Sequence, residues 1–172
     1  MDELEAFLEW FLKTSPMLGA VPLNNAVTNS NGITGVVWFR QPPFQVEMFI
    51  APPNCIIPEH IHPNVDSFEV YVGGQIMFSH GGKWVVDQKE IVSVGQHGVA
   101  SIRGSRIRVK PSDRHGGVFG PTGGVFMSVQ HWLNGEEPCC ISKDYAGIAL
   151  DKINPTSTDA AHLEKEPFIW TV

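Results

Sequence analysis

A series of runs rich in β-branched and aromatic residues constrains this chain more than any other feature. They read ITGVVWFR (33–40), FQVEMFIAPP (44–53), SFEVYVGGQIMFSH (67–80), KWVVDQ (83–88), RIRVKP (106–111) and GGVFMSVQHWL (123–133). Each has strand length and strand composition. Between them lie QPP, PPNCIIPEHIHPN, HGG, SVGQHG, SDRHGG and GPTGG, which carry turn and loop chemistry. No helical period separates the runs, so the chain calls for an antiparallel sandwich or barrel. At 172 residues it has enough length for one domain with a core, and nothing in its pattern marks a second.

The two ends differ from this middle. Leu4, Phe7, Leu8, Phe11 and Leu12 recur at helical spacing, with Glu3, Glu5 and Glu9 on other faces and Asp2 in place to cap. Residues 1–18 are therefore expected to form an amphipathic helix packed on the domain or on a partner subunit. Beyond Leu133 the strand pattern loosens. SKDYAGIALDKINP and STDAAHLEKEPFIW predict one or two short helices in a C-terminal extension, 134–172.

The formal net charge of -6 argues against nucleic acid or an anionic membrane as partner. The acidic start does not read as a signal, and no apolar run is long enough to span a bilayer. Cys55, Cys139 and Cys140 lack disulfide spacing, so reduced thiols in a cytoplasm are expected. Adjacent Cys139 and Cys140 also allow a strained bridge or a pair of ligands, but inert burial is the simpler reading. There is no phosphate-binding glycine loop, no nucleophile elbow and no C-x-x-C pair.

The stretch PEHIHPNVDSFEVYVGG (58–74) is the richest in chemistry. His60 and His62 are two apart, so in extended chain they point to one side and offer half of a metal site. Behind them Ser67, Glu69 and Tyr71 share one strand face, with Phe68, Val70 and Val72 on the other. If the apolar set packs outward, Glu69 is turned inward, where a buried carboxylate needs a cation or a hydrogen-bonding partner. His131 alternates with Val129 and Leu133, which leaves its face open. His80 reads as a hairpin residue, and His97 and His162 as surface. Arg106, Arg108 and Lys110 form a basic strand face, read as a solvated edge ahead of a clamp for a substrate carboxylate. Trp38, Phe39, Phe44, Met48 and Phe49 read as core.

The same stretch resembles the first motif of the cupin superfamily, G-x5-H-x-H-x3-4-E-x6-G, which supplies two His and one Glu to a metal. His60, His62 and the Gly73–Gly74 turn fit that frame. GSRIRVKPSDRHGGVFG (104–120) resembles the second motif, with Gly104 and His115 at the expected spacing. Pro111 falls one residue late there, and the motif's inner glycine and final asparagine are missing. The resemblance implies an all-β, cupin-type double-stranded β-helix, a jelly-roll barrel over 35–133, within a single domain, 1–172. It also implies a metal held by His60, His62 and His115. Ser67 or Asp66 stands where the motif has its glutamate, and Glu69 lies further along the strand. Four arrangements stay open: Glu69 as fourth ligand, a site of three histidines, Asp66 as ligand, or no functional metal.

The family implies a metal-dependent enzyme acting on a small organic molecule, an Fe(II)-type dioxygenase first. A metal-dependent isomerase or lyase and a non-enzymatic binding cupin are the alternatives. Iron heads the metals, before zinc, nickel and manganese. Glu69, Tyr71 and His131 are the residues proposed to touch the reaction, and barrels of this kind imply a homodimer.

Overall fold

A computed structural model describes residues 2–18, 23–29, 31–80, 83–85, 93–95, 98–101, 106–138 and 141–142. Helix α1 spans Glu3–Leu18. Strands follow at Val27–Thr28 (β1), Thr34–Gln41 (β2), Phe44–Ala51 (β3), Ile56–Ile61 (β4), Val65–His80 (β5), Lys83–Val85 (β6), Ser93–Gly95 (β7), Gly98–Ser101 (β8), Arg106–Val109 (β9), His115–Trp132 (β10) and Ile141–Ser142 (β11). Among the described residues, β7 and β8 pair only with each other.

Two long strands organise the rest. β5 and β10 run antiparallel along nearly their whole lengths, and each belongs to two sheets. In the first sheet, Val65–Gly74 and Gly124–Trp132 form the centre of the order β1-β2-β3-β10-β5-β9. In the second, Ile76–His80 and His115–Phe119 form the centre of the order β11-β4-β10-β5-β6. This is the double-stranded β-helix, or jelly roll, expected from the sequence.

The chain passes between the sheets where Gly74 pairs with Gly124. Gly74 has φ +82°, and a Cβ there would lie 2.5 Å from the Gly123 carbonyl oxygen and 2.6 Å from the Gly124 Cα. Gly123 has φ +67°, and a Cβ there would lie 2.4 Å from the Ala51 carbonyl oxygen. Only glycine meets both demands. The Gly73–Gly74 turn and the GPTGG loop expected from composition are thus corrected: both lie inside continuous, bent strands.

The first sheet buries both faces. Outward, Val46, Phe68, Val70, Met127 and Val129 meet Leu4, Phe7, Leu8 and Phe11 of α1. The helix therefore packs on its own domain. The Glu5 N–H donates to Asp2 Oδ1 at 3.0 Å, the expected cap. Arg108 reaches both Asp66, at 3.0 and 2.6 Å, and Asp2, tying the start of α1 to β5 and β9. Arg108 of the basic β9 face thus holds the helix, while Arg106 lies over the Phe68 ring.

Loop readings missed β4 and the β7–β8 ladder. The reason at β4 is local. Between the pairs His60↔His115 and Ile57↔Gly117, Pro58 and Glu59 face the single residue Gly116, so β4 bulges. A bulge is where a strand tolerates proline, which has no N–H to give the ladder. Past the barrel, Leu133–Gly135 is a single 3₁₀ turn and Ile141–Ser142 is a two-residue strand. The short helices expected further on lie outside the described residues, as do His97, Gly104, Cys139, Cys140 and His162.

Gly74→Ala should lower stability by about 1–3 kcal/mol from backbone strain alone, with the clash adding to it. Gly73→Ala, where a Cβ meets nothing within 4 Å, should stay within about 0.5 kcal/mol of the parent. Equal losses in thermal unfolding would show that the bend does not need Gly74.

Candidate metal centre

The second sheet carries the histidines. His60 lies on β4, His62 just beyond its end, and His115 opens β10 directly opposite His60. One nitrogen from each ring falls within 4.8 Å of the others, and these three alone make up the candidate group among the described residues. The ring centroids of His60 and His115 are 4.2 Å apart, and those of His62 lie 4.9 Å from His60 and 5.3 Å from His115.

Backbone carbonyls set the tautomers. His60 Nδ1 is 2.8 Å from the Pro58 oxygen, and His115 Nδ1 is 3.1 Å from the Asp113 oxygen. A carbonyl only accepts, so both rings carry their proton on Nδ1 and keep the Nε2 lone pair. Burial, reinforced by the neighbouring rings, holds His60 well below the usual imidazole range and His115 down at about 4. Both are neutral near pH 7, as metal ligation requires. The donor set fits a divalent transition metal, with small ring rotations bringing three imidazoles onto one ion.

The supports are specific. Glu59, beside His60, reaches over side-chain-free Gly116. One carboxylate oxygen accepts from the Ser79 hydroxyl at 2.7 Å and the other from Arg114 at 3.1 Å. Asp113 accepts from the Lys110 backbone N–H at 2.9 Å and lies 3.1 Å from His80 Nε2. His80 therefore does more than close a hairpin: it anchors the turn that orients His115.

The opposite wall belongs to the first sheet. Its inward positions form rows across β3, β10 and β5: Gln45–Gln130–Ser67, then Glu47–Ser128–Glu69, then Phe49–Phe126–Tyr71. The first two rows and the Phe49–Phe126 pair share with the three histidines a cavity of about 430 Å³. Glu69 Oε1 accepts from the hydroxyls of Ser67 and Ser128, both at 2.8 Å. Burial raises its pKa to about 7 against those two bonds, with the Glu47 charge adding to the rise. Burial also raises Glu47.

The remaining expectations divide. Glu69 is inside the cavity but outside the histidine group. Asp66 points outward to Arg108, because it alternates with Ser67. Tyr71 is inward but not among the cavity-lining residues: it sits among Ile76, Phe78 and Phe126, and its hydroxyl donates to the Gly74 oxygen at 2.6 Å. His131 is on the outer face with Val129, stacked on Phe44 and 3.6 Å from Glu3 of α1. Neither Tyr71 nor His131 is placed to touch a molecule in the cavity. Gln45, Glu47, Ser128 and Gln130 were not singled out from sequence. Polar residues two apart within FQVEMF and MSVQHW were the available signal.

No protein-family model matches the sequence, and no curated protein does. Solved structures do. KdgF from Halomonas sp. superposes with a TM-score of 0.51 at 12% identity, covering 65% of this chain and 86% of that one. An RmlC-like cupin from Shewanella frigidimarina NCIMB 400 superposes with a TM-score of 0.51 at 15% identity, covering 67% and 90%. The chain has the cupin fold. At such identities fold is what the likeness carries, so function is argued from the site.

Glu69 generates a pH signature in metal-free protein. Its folded pKa is raised from about 4.5 to about 7. Between those values the folded state holds a proton that the unfolded state has lost, so this contribution to stability falls as pH rises and is level above about 7. His60 and His115 act with the opposite slope. Subtracting the stability profile of Glu69→Gln from that of the parent should isolate the falling term. A flat difference across pH 4.5–7 in denaturant titrations would refute it.

Proposed function

We propose that this protein is a metal-dependent enzyme acting on a small organic molecule, with His60, His62 and His115 as ligands and Glu69 as the group that moves a proton. The observation carrying this is the convergence of three imidazoles on one side of a cavity with a buried carboxyl, its pKa raised, on the facing wall. Bound there, a divalent metal would polarise a carbonyl or stabilise an enolate as a Lewis acid.

Glu69 suits proton transfer for a structural reason. Its Oε1 accepts two hydroxyl bonds, so Oε2 is the atom that takes or gives the proton. A pKa near the working pH is the useful value for a general acid or base. Phe49, Phe78 and Phe126 line part of the cavity around it with apolar surface. This favours an isomerase or lyase. The Fe(II)-type dioxygenase is the second reading, supported by a ligand set of three imidazoles, which would leave coordination positions for oxygen and substrate.

Metal analysis of protein purified without chelator tests the centre. His60→Ala and His115→Ala should each reduce bound metal to well below one equivalent, while Glu69→Gln should retain it. Metal lost from Glu69→Gln would make Glu69 a ligand. No metal in the parent, even after incubation with micromolar Fe(II), Zn(II), Ni(II) or Mn(II), would remove the proposal. Oxygen uptake with the Fe(II) form and a panel of diketones, thiols and aromatic diols separates the two readings, with no uptake expected for the first.

A further inference from the structure

The wall facing the histidines has a one-sided hydrogen-bonding inventory. Both N–H groups of the Gln45 amide are used, on Glu47 Oε2 at 3.2 Å and on Gln130 Oε1 at 3.3 Å. The Gln130 amide donates to Ser128 at 3.2 Å, and Ser128 and Ser67 both donate to Glu69. Trp132 Nε1 donates to Gln130 Oε1 at 3.0 Å, and Arg40 Nε to Gln45 Oε1 at 2.5 Å. Nearly every donor on the wall is thus spent within it. What is left over are acceptors, Oε2 of Glu69 and Oε1 of Glu47, on side chains that line the cavity. Glu69 as a residue is only 7% exposed.

Arg40 is the cation among the lining residues, and it is held at the side. Its guanidinium is half-exposed, lies over the Trp132 ring at 5.4 Å and is 3.8 Å from Glu137. Its Nε is spent on Gln45, and its charge acts on Glu47, opposing the effect of burial there. A carboxylate or phosphate entering would meet two carboxyls with few donors to receive it, and burial makes such a mismatch expensive.

We propose that the end of the substrate seated against the Glu47–Ser128–Glu69 row carries hydroxyl or ammonium donors and no anionic group. This names the substrate class of the cavity assigned above and rests on that reading for the role of the opposite wall. The metal end binds through lone pairs. The far end is chosen by its protons. Glu47 is the positioning residue of the pair, since Glu69 is engaged in proton transfer.

Four-carbon probes test it in two arms at pH 8. In metal-free protein, butane-1,4-diol, 1,4-diaminobutane and succinate are compared by ligand-observed saturation-transfer NMR. The diol or the diamine should bind, and succinate should bind at least tenfold more weakly. Which of the two binds better tells hydroxyl from ammonium recognition. In metal-loaded protein, matched hydroxamates ending in hydroxymethyl, aminomethyl or carboxylate should show the same ranking by calorimetry. Glu47→Gln should shrink the discrimination against the carboxylate severalfold while metal content is unchanged. Succinate binding as well as the donors, or an unchanged ranking in Glu47→Gln, overturns the inference. Absence of bound metal with the metal-free ranking intact would overturn the metal reading and leave this one standing.

Discussion

The close approach of Gly74 to Gly123 and Gly124 is the constraint on which the rest of this structure depends. A Cβ at Gly74 would sit inside the opposing backbone. Without side chains there, β5 and β10 bend together and carry their pairing from one sheet into the other. Both walls of the cavity consequently share these two strands, with β4 adding His60 to one wall and β3 adding Gln45 and Glu47 to the other. The lower half of the pair brings His115, and the upper half brings Glu69 and Ser128. Most of the site is built on strands, with His62 just beyond the end of β4. Its two halves are joined by the β5–β10 ladder, which changes register at the bend between them, and strands hold functional groups more precisely than loops do.

A second backbone irregularity sets the direction of the ligands. The bulge that opposes Pro58 and Glu59 to Gly116 shifts β4 by one residue at the point where His60 must face inward. It also frees the Pro58 carbonyl to hold His60 Nδ1 and turns Glu59 across to Ser79. A Cβ on Gly116 would come within 2.7 Å of the Ile57 oxygen, so the bulge and this glycine require each other. Both features come from residues whose strand propensity is poor. Their use here is to interrupt a regular ladder next to a site, where bulges commonly serve to re-aim a side chain.

This explains what could and could not be read from the sequence. Alternation in SFEVYV gave the inward face of β5, and Leu4, Phe7, Leu8 and Phe11 gave the helix that covers its outer face, because both signals are local periodicities. The three histidines were legible through H-x-H spacing and the likeness of the later segment to a known motif. The polar rows were not. Gln45 and Glu47 become a wall only when β3 lies beside β10, a pairing of distant segments that no window of sequence contains. The faces of His131 and Tyr71 depend on distant partners too: His131 lies outward opposite Phe44 and Asp66, and Tyr71, inward with Glu69 as its alternation implied, packs in the core cluster with Phe78 and Phe126. Proline and glycine, read as punctuation, marked bends within strands rather than ends of them.

One environment has opposite consequences for the two halves of the cavity. Burial penalises charge of either sign, so it holds His60 and His115 below the imidazole range and lifts Glu69 to about 7. Near neutral pH the two rings are therefore neutral, and the acid is held toward its protonated form, which lessens the cost of burying both. Placing the carboxyl in the ligand set would change this balance, since coordination would keep it ionised and deny it a proton to exchange. Placing it on the facing sheet, with Ser67 and Ser128 on one oxygen, keeps the other oxygen available. The separation of the histidines from the acid thus follows from the two-sheet fold, which sets the three imidazoles on one wall and the Glu69 carboxyl on the other.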